Sequence, residues 1–381
     1  IFTYYTLIPI ISIINGETYY LGLNMSRGIS YSYLGSCISL YSIYFGFKIF
    51  KTNRKIELGD YINTDNALKI GLFLYGLALV GYVPFRGFQL NITQADETIS
   101  FSETGGFDQY FIQFVSFLVM SVILFIPHLK NNKKSRLYLM SLISIAFVIY
   151  IVGGFRFRLV ILISALATVY YLYSQKRLKI LVWIPIIILF VYFMGIMQNT
   201  RNYSKGLDLT KIEGFSKRDI LLSGTEEASG VFLFSGVLIK EYSRREKKYF
   251  EPLLNALFMP VPRILFPEKP DADYLRETNT IVLGTTAYGA AYTNYTESFI
   301  AFGWFGIIFN GLLIGFISKI FWINFKRNQN SFGAIILLAL YNGFSYVLIS
   351  RGYLAQELTL FFFFILIPAL FGKIFNRYFL H

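Results

Sequence analysis

The feature that most constrains this chain is the recurrence of apolar stretches close to the length of a bilayer crossing. A hydrocarbon core takes roughly 17 to 25 helical residues to cross. Ten stretches approach or meet that requirement: Ile1–Ile14, Ile29–Phe50, Ala67–Phe85, Tyr110–Ile126, Leu137–Val152, Phe155–Tyr173, Ile180–Met197, Phe299–Ile323, Phe332–Ile349 and Tyr353–Phe371. Backbone polar groups in lipid must be satisfied within the segment, so the expected fold is all-α, a polytopic helical bundle of about ten to twelve spans. The composition agrees: 55% of the residues are hydrophobic and only 15% charged, with 40 Phe and 29 Tyr. The first stretch is short, starts without Met and shows no basic leader or small-residue cleavage site, which points to residues missing upstream.

A net charge of +13 invites a nucleic-acid reading, but sorting the charges by loop removes it. Lys48, Lys51, Arg54, Lys55 and Lys69, the segment KNNKKSR, the segment QKRLK, Lys319, Lys326, Arg327, Lys373 and Arg377 all fall on alternate loops and the tail. Those seventeen cations meet only Glu57, Asp60 and Asp65, which marks their face as cytoplasmic. The other face is close to neutral, so the basic excess reflects topology and anionic lipid, with no nucleic-acid partner. Both termini are then cytoplasmic, and the whole chain, 1–381, is one integral membrane domain with a large external loop at 198–298. Within that loop, Ala228–Ile239 is expected to be re-entrant or interfacial, because twelve apolar residues are few for a crossing. The following KEYSRREKKYFEPLLNALF is expected to lie along the membrane surface as an amphipathic segment.

Charged groups near the outer ends of spans are the candidates for chemistry. Arg156 and Arg158 lie in the turn GGFRFR, Arg201 just beyond the seventh span, and Arg351 in the short turn SRGYL. Arg263 and Lys269 belong to PVPRILFPEKP, a stretch with four prolines in eleven residues that can be neither helix interior nor central strand. Arginine keeps its charge and grips phosphate with a planar fork of donors. Snorkelling to lipid headgroups, or pairing with external carboxylates, is the alternative for each.

A general base has to be a carboxylate, since His128 falls at a cytoplasmic span end and His381 is the last residue. Glu227 comes first, followed by Glu297 and Asp273, with Glu226, Asp271 and Glu357 also on the external side. Glu297 opens a span, where an acid also suits the helix dipole. Gly311 and Gly315 form a GxxxG whose default meaning is close helix packing. One Cys and two His make no ordinary zinc ligand set, and Cys37 is expected to pack as a small apolar residue. Nucleotide loops, dinucleotide fingerprints and HExxH are absent from the sequence.

The turn GGFRFR, the string PRILFPEKP in a late external loop, YTESFIAFGWFGIIFNGLLIGF and a final SRGYL together resemble the Wzy-type O-antigen and capsule polymerases, from about Gly153 to the C-terminus. The resemblance implies a GT-C-like, metal-independent glycosyltransferase without a cofactor, at the outer face of a bacterial cytoplasmic membrane. Its substrates would be undecaprenyl-pyrophosphate-linked oligosaccharides as donor and acceptor, with a chain-length regulator as an optional partner. It implies a diphosphate-binding role for Arg156 or Arg158, Arg263 and Arg351, then Arg201 and Lys269, and a catalytic role for one of Glu227, Glu297 and Asp273. External tyrosines such as Tyr274, Tyr288, Tyr292 and Tyr295 are either sugar-stacking or ordinary interface residues. An O-antigen ligase and a flippase for the same lipid-linked glycans are the competing functions. The first lacks its usual external His here, and the second its usual internal repeat.

Overall fold

A computed structural model of the chain describes residues 8–14, 16, 18–50, 62–86, 112–130, 132–153, 156–174, 180–202, 206–207, 217–258, 261, 266, 268, 273–284, 291–350 and 352–379. These residues are almost entirely helical, with two minimal antiparallel hairpins, Tyr19–Tyr20 with Leu23–Asn24 and Arg201–Asn202 with Gly206–Leu207. Among the described residues, seven helical segments are long and apolar enough to cross a membrane: Thr64–Val83, Ile112–Lys130, Lys133–Val152, Arg156–Tyr173, Asn294–Arg327, Phe332–Ser350 and Leu354–Phe379. The chain is therefore described as a multi-pass helical membrane protein. Contacts divide it into two interleaved units: Ile1–Asn53, Thr225–Ile320 and Ser345–Leu360 form one, and Arg54–Gly224, Phe321–Phe344 and Phe361–His381 the other.

In the first unit, α1 (Ile8–Ile14) and the Tyr19–Asn24 hairpin precede α2 (Ile29–Ile49). The buried face of α2 is Ser32, Gly35, Ser36, Ser39, Ser42 and Gly46, small residues three or four apart on one side of the helix. This seam lets two other helices approach closely. Ser32 Oγ donates to Phe232 O at 2.7 Å, on α8 (Lys217–Tyr242). A Cβ added at Gly311 would lie 2.5 Å from Ser42 Cβ, and one at Gly315 only 2.2 Å from Ile43 O, so α11 (Asn294–Arg327) packs on α2 through the glycines of the GxxxG. Cys37 lies off this seam and is exposed, so it is not the packing residue expected.

The segment Ala228–Ile239, expected to be re-entrant or interfacial, is helical and enclosed by the protein. It is the interior of the 26-residue α8, and all twelve of its residues are buried. The helix extends N-terminally through the polar SGTEEASG, which a hydropathy window does not count as span. After α8 come α9 (Glu251–Phe258) and α10 (Asp273–Leu283), both amphipathic.

Helix α11 is broken near its start. Phe302 (φ −133°, ψ 16°) and Gly303 (φ 66°, ψ −151°) are not helical, and the left-handed φ is one that glycine adopts without a Cβ penalty. Two carbonyls freed at the break are taken up by the preceding turn, Lys248 N donating to Ile300 O at 2.9 Å and Tyr249 N to Ala301 O at 3.0 Å. Lys247 supports the same point: its Nζ donates to Tyr242 O and sits 4.4 Å from the centre of the Phe299 ring.

In the second unit, α4 (Phe117–Leu124), extended by 3₁₀ turns on both sides, is buried at every position, as befits a helix apolar all round. It is tied to α3 (Thr64–Arg86) by Ser121 Oγ donating to Gly71 O at 2.7 Å. Helix α5 (Lys133–Val152) starts on an Asn132 cap that accepts from Ser135 N at 2.7 Å, and its Tyr150 hydroxyl donates to Val115 O. Then follow α6 (Arg156–Ser174) and α7 (Ile180–Thr200). Of the last helices, α12 (Phe332–Ser350) starts in this unit and ends in the first, α13 (Leu354–Phe361) belongs to the first up to Leu360, and α14 (Ile367–Phe379), reached through a π turn at Phe362–Leu366, belongs to this one. Phe73 stacks on Phe375 at 4.5 Å, and Asn66 Nδ2 donates to Asn376 Oδ1, fixing α14 against α3.

Candidate functional site

Two sets of buried charged groups stand out, one in each unit. In the first unit the centre is the start of α11. Glu297 is 6% exposed, and its Oε2 accepts the backbone N–H of Leu354 at 2.7 Å. That N–H belongs to the first turn of α13, where no intrahelical acceptor exists, so Glu297 caps a helix far away in sequence. The turn before α13 is tied to the same place: Gly352 N donates to Tyr292 O at 2.7 Å, and a Cβ on Gly352 would lie 2.1 Å from Thr293 O. Only glycine allows that approach.

A second carboxylate, Glu357, is also buried one turn into α13, within electrostatic reach of Glu297. Tyr292 and Tyr353 complete the group. Burial, and then the neighbouring Glu297 carboxylate, push the Tyr353 hydroxyl up to about 12, and the same two causes raise Tyr292. The buried Tyr292 hydroxyl has no hydrogen-bond partner among the described residues. Below this group a hydroxyl network locks the loop: Thr293 N and Oγ1 donate to Ser235 Oγ, both at 2.9 Å, and the Tyr295 hydroxyl lies 2.6 Å from Ser32 Oγ.

In the second unit, Arg156 and Arg158 form the first turn of α6 and are 6% and 2% exposed. Residues two apart point to nearly opposite sides of a helix, so this helix end is enclosed on both sides. Two guanidinium charges at the positive end of a helix dipole are costly without anionic or acceptor groups nearby. Arg158 Nη2 donates to Gln113 Oε1 at 3.1 Å and has Tyr150 within electrostatic reach.

Of the residues singled out in the sequence, Arg263, Lys269, Asp271, Arg351 and Tyr288 lie outside the described residues. For Glu226, Glu227 and Tyr274, and for Asp273 and Arg201, the backbone alone is described: the two glutamates are in α8, Asp273 and Tyr274 in α10, and Arg201 in the Arg201–Leu207 hairpin. Tyr292 and Tyr295 are buried, and Tyr295 is spent on the hydroxyl network, so neither has a face open for stacking on a sugar. The pairing of Glu297 with Glu357, and the contact of Arg158 with Gln113, were not readable from the sequence. Each joins residues at least 45 positions apart, and no local pattern marks the partner.

No protein family, curated protein or solved structure matches the chain.

Proposed function

We propose that this chain is a multi-pass glycosyltransferase of the bacterial cytoplasmic membrane. It would join lipid-diphosphate-linked oligosaccharide repeat units into O-antigen or capsular polysaccharide at the outer face, with both chain termini cytoplasmic. The observation that carries the reading is the buried pair Arg156 and Arg158 at the start of a helix long and apolar enough to span, on the face that charge sorting assigns to the outside. Permanently charged guanidiniums at that level suit a diphosphate held at the membrane boundary. The sequence resemblance to Wzy-type polymerases supplies the reaction.

In that reaction an acceptor sugar hydroxyl attacks the anomeric carbon of the donor. The bond from that carbon to the diphosphate oxygen breaks, its electron pair leaves with undecaprenyl pyrophosphate, and the hydroxyl proton passes to a carboxylate. The leaving diphosphate gains charge, which preorganised arginines stabilise more in the transition state than in the ground state. Arg156 or Arg158, Arg263 and Arg351 are the diphosphate ligands of this reading, with Arg201 and Lys269 as second choices. Glu227 is the first choice of base, then Glu297, one oxygen of which accepts the Leu354 N–H, and then Asp273.

The test is reconstitution with lipid-linked repeat units alone. Formation of polymer with release of undecaprenyl pyrophosphate is the expected result. Passage of intact repeat units across the bilayer without polymer would replace this reading by that of a flippase.

A further inference from the structure

The turn after α8 and helix α9 carry an apolar load that the protein itself does not cover. Tyr249, Phe250, Leu253, Leu254 and Leu257 are all exposed, Phe250 by 62% and Leu257 by 60%, whereas Pro252, Asn255 and Ala256 face inward. Positions 253, 254 and 257 share one face of the helix. Phe302 extends that face, packing edge-on against Tyr249 at 6.1 Å and Phe250 at 5.3 Å while remaining exposed itself. Beyond it, Phe305, Ile308, Phe309 and Leu313 continue the exposed apolar surface along α11, the flank of a spanning helix. Arg244 and Arg245, both exposed, lie at the polar end of the patch.

The break in α11 falls at the same level. As one rod of 34 residues it would measure about 51 Å, far more than a core of about 30 Å. Irregular backbone facing lipid is not tolerated inside the hydrocarbon, yet Phe302 is both non-helical and exposed. The break therefore belongs at the boundary. Counting on from Trp304 to Trp322 gives 18 residues, about 27 Å of helix, which places an aromatic residue near each surface of the core.

We propose that Arg244–Phe258 is an interfacial foot. The apolar face of α9 rests on the acyl chains of the bilayer and Arg244 and Arg245 lie at headgroup level, so the membrane boundary crosses α11 at Phe302–Gly303. Glu297 then lies on the headgroup side of that boundary. The foot is independent of the proposed activity.

Cys37 is the only cysteine, so a Cys37→Ser background allows single nitroxide labels at Leu254→Cys, Leu257→Cys, Glu246→Cys and Phe309→Cys in lipid nanodiscs. Collision with oxygen against a water-soluble nickel chelate reads the depth of each label. Labels at 254 and 257 are expected to favour oxygen several-fold more than the label at 246, and to sit shallower than the label at 309. If Phe309→Cys does not fold, Leu313→Cys gives the same depth reference. Labels at 254 and 257 that meet nickel as freely as the one at 246 would overturn the proposal, because the face would be in water. Exclusion of both reagents would overturn it equally, because the face would then be covered by protein.

Discussion

Replacing Glu297 by Ala is expected to loosen the start of α13, and the size of the effect follows from the contact it removes. The carboxylate accepts the Leu354 N–H at 2.7 Å in a site only 6% exposed, so water cannot take its place readily. A hydrogen bond to a charged group contributes about 1.5–3 kcal/mol. The loss on deleting a helix N-cap sets the same scale, so the expected cost is about 1–2 kcal/mol. Every 1.4 kcal/mol is tenfold in an equilibrium, so local opening should rise about tenfold. Glu297→Gln keeps an acceptor and loses the charge, and should cost less than about 1 kcal/mol. The assay is amide hydrogen exchange of the 350–358 segment in nanodiscs. Gly352→Ala, whose Cβ would meet Thr293 O at 2.1 Å, should deprotect the same segment by a different route. Unchanged exchange in Glu297→Ala would refute the capping argument, and equal exchange in the Ala and Gln variants would show that charge, not the acceptor, matters. Polymer formation adds a separate readout: a base would be lost in Glu297→Gln despite intact protection, whereas a positioning residue would be rescued by it.

Three further outcomes are expected. Gly315→Ala should cost about 1–3 kcal/mol in thermal unfolding, because its Cβ would enter the contact with Ile43 O, while Gly76→Ala, with open space around it on α3, should be neutral or stabilising. Arg156→Ala should leave a folded protein with single repeat units instead of long chains; Arg158→Ala should also lower the melting temperature, since it takes away the donor to Gln113 Oε1. Normal chain-length ladders in Arg156→Ala would remove that residue from the diphosphate site. Lys248 lies 2.6 Å from Glu277, and this hydrogen bond raises the lysine above its ordinary 10.5. Its stabilisation is therefore fully present below pH 10.5 and lost as pH rises through the folded value, so the stability gap between wild type and Lys248→Met should close on that alkaline side. Both groups are partly exposed and screened by solvent, which keeps the gap within about 1 kcal/mol.

Much of the architecture could be read from local pattern. Apolar runs from 64 onward became helices at nearly the expected places, because a run of that length satisfies its backbone internally in lipid whatever surrounds it. The GxxxG at Gly311 and Gly315 packed as expected, since small residues at that spacing permit only one cheap use of the surface they expose. For Ala228–Ile239 the sequence marked twelve apolar residues, and the structure sets them inside a 26-residue helix with every one of them buried.

For the candidate site, the sequence determined which residues carry charge in an apolar chain and, through the basic loops, which of them share a face. Arg156, Arg158, Glu297 and Glu357 could all be picked out in this way. The tertiary structure decided what those charges do: it gave Arg158 to Gln113 and set Glu297 on the first turn of a helix 57 residues away, beside a second carboxylate. It also broke α11 at Gly303, where a neighbouring turn supplies two N–H donors. Span and sidedness depend on runs of neighbouring residues and are written locally, whereas a buried charge takes its role from partners that only folding brings within about 3 Å.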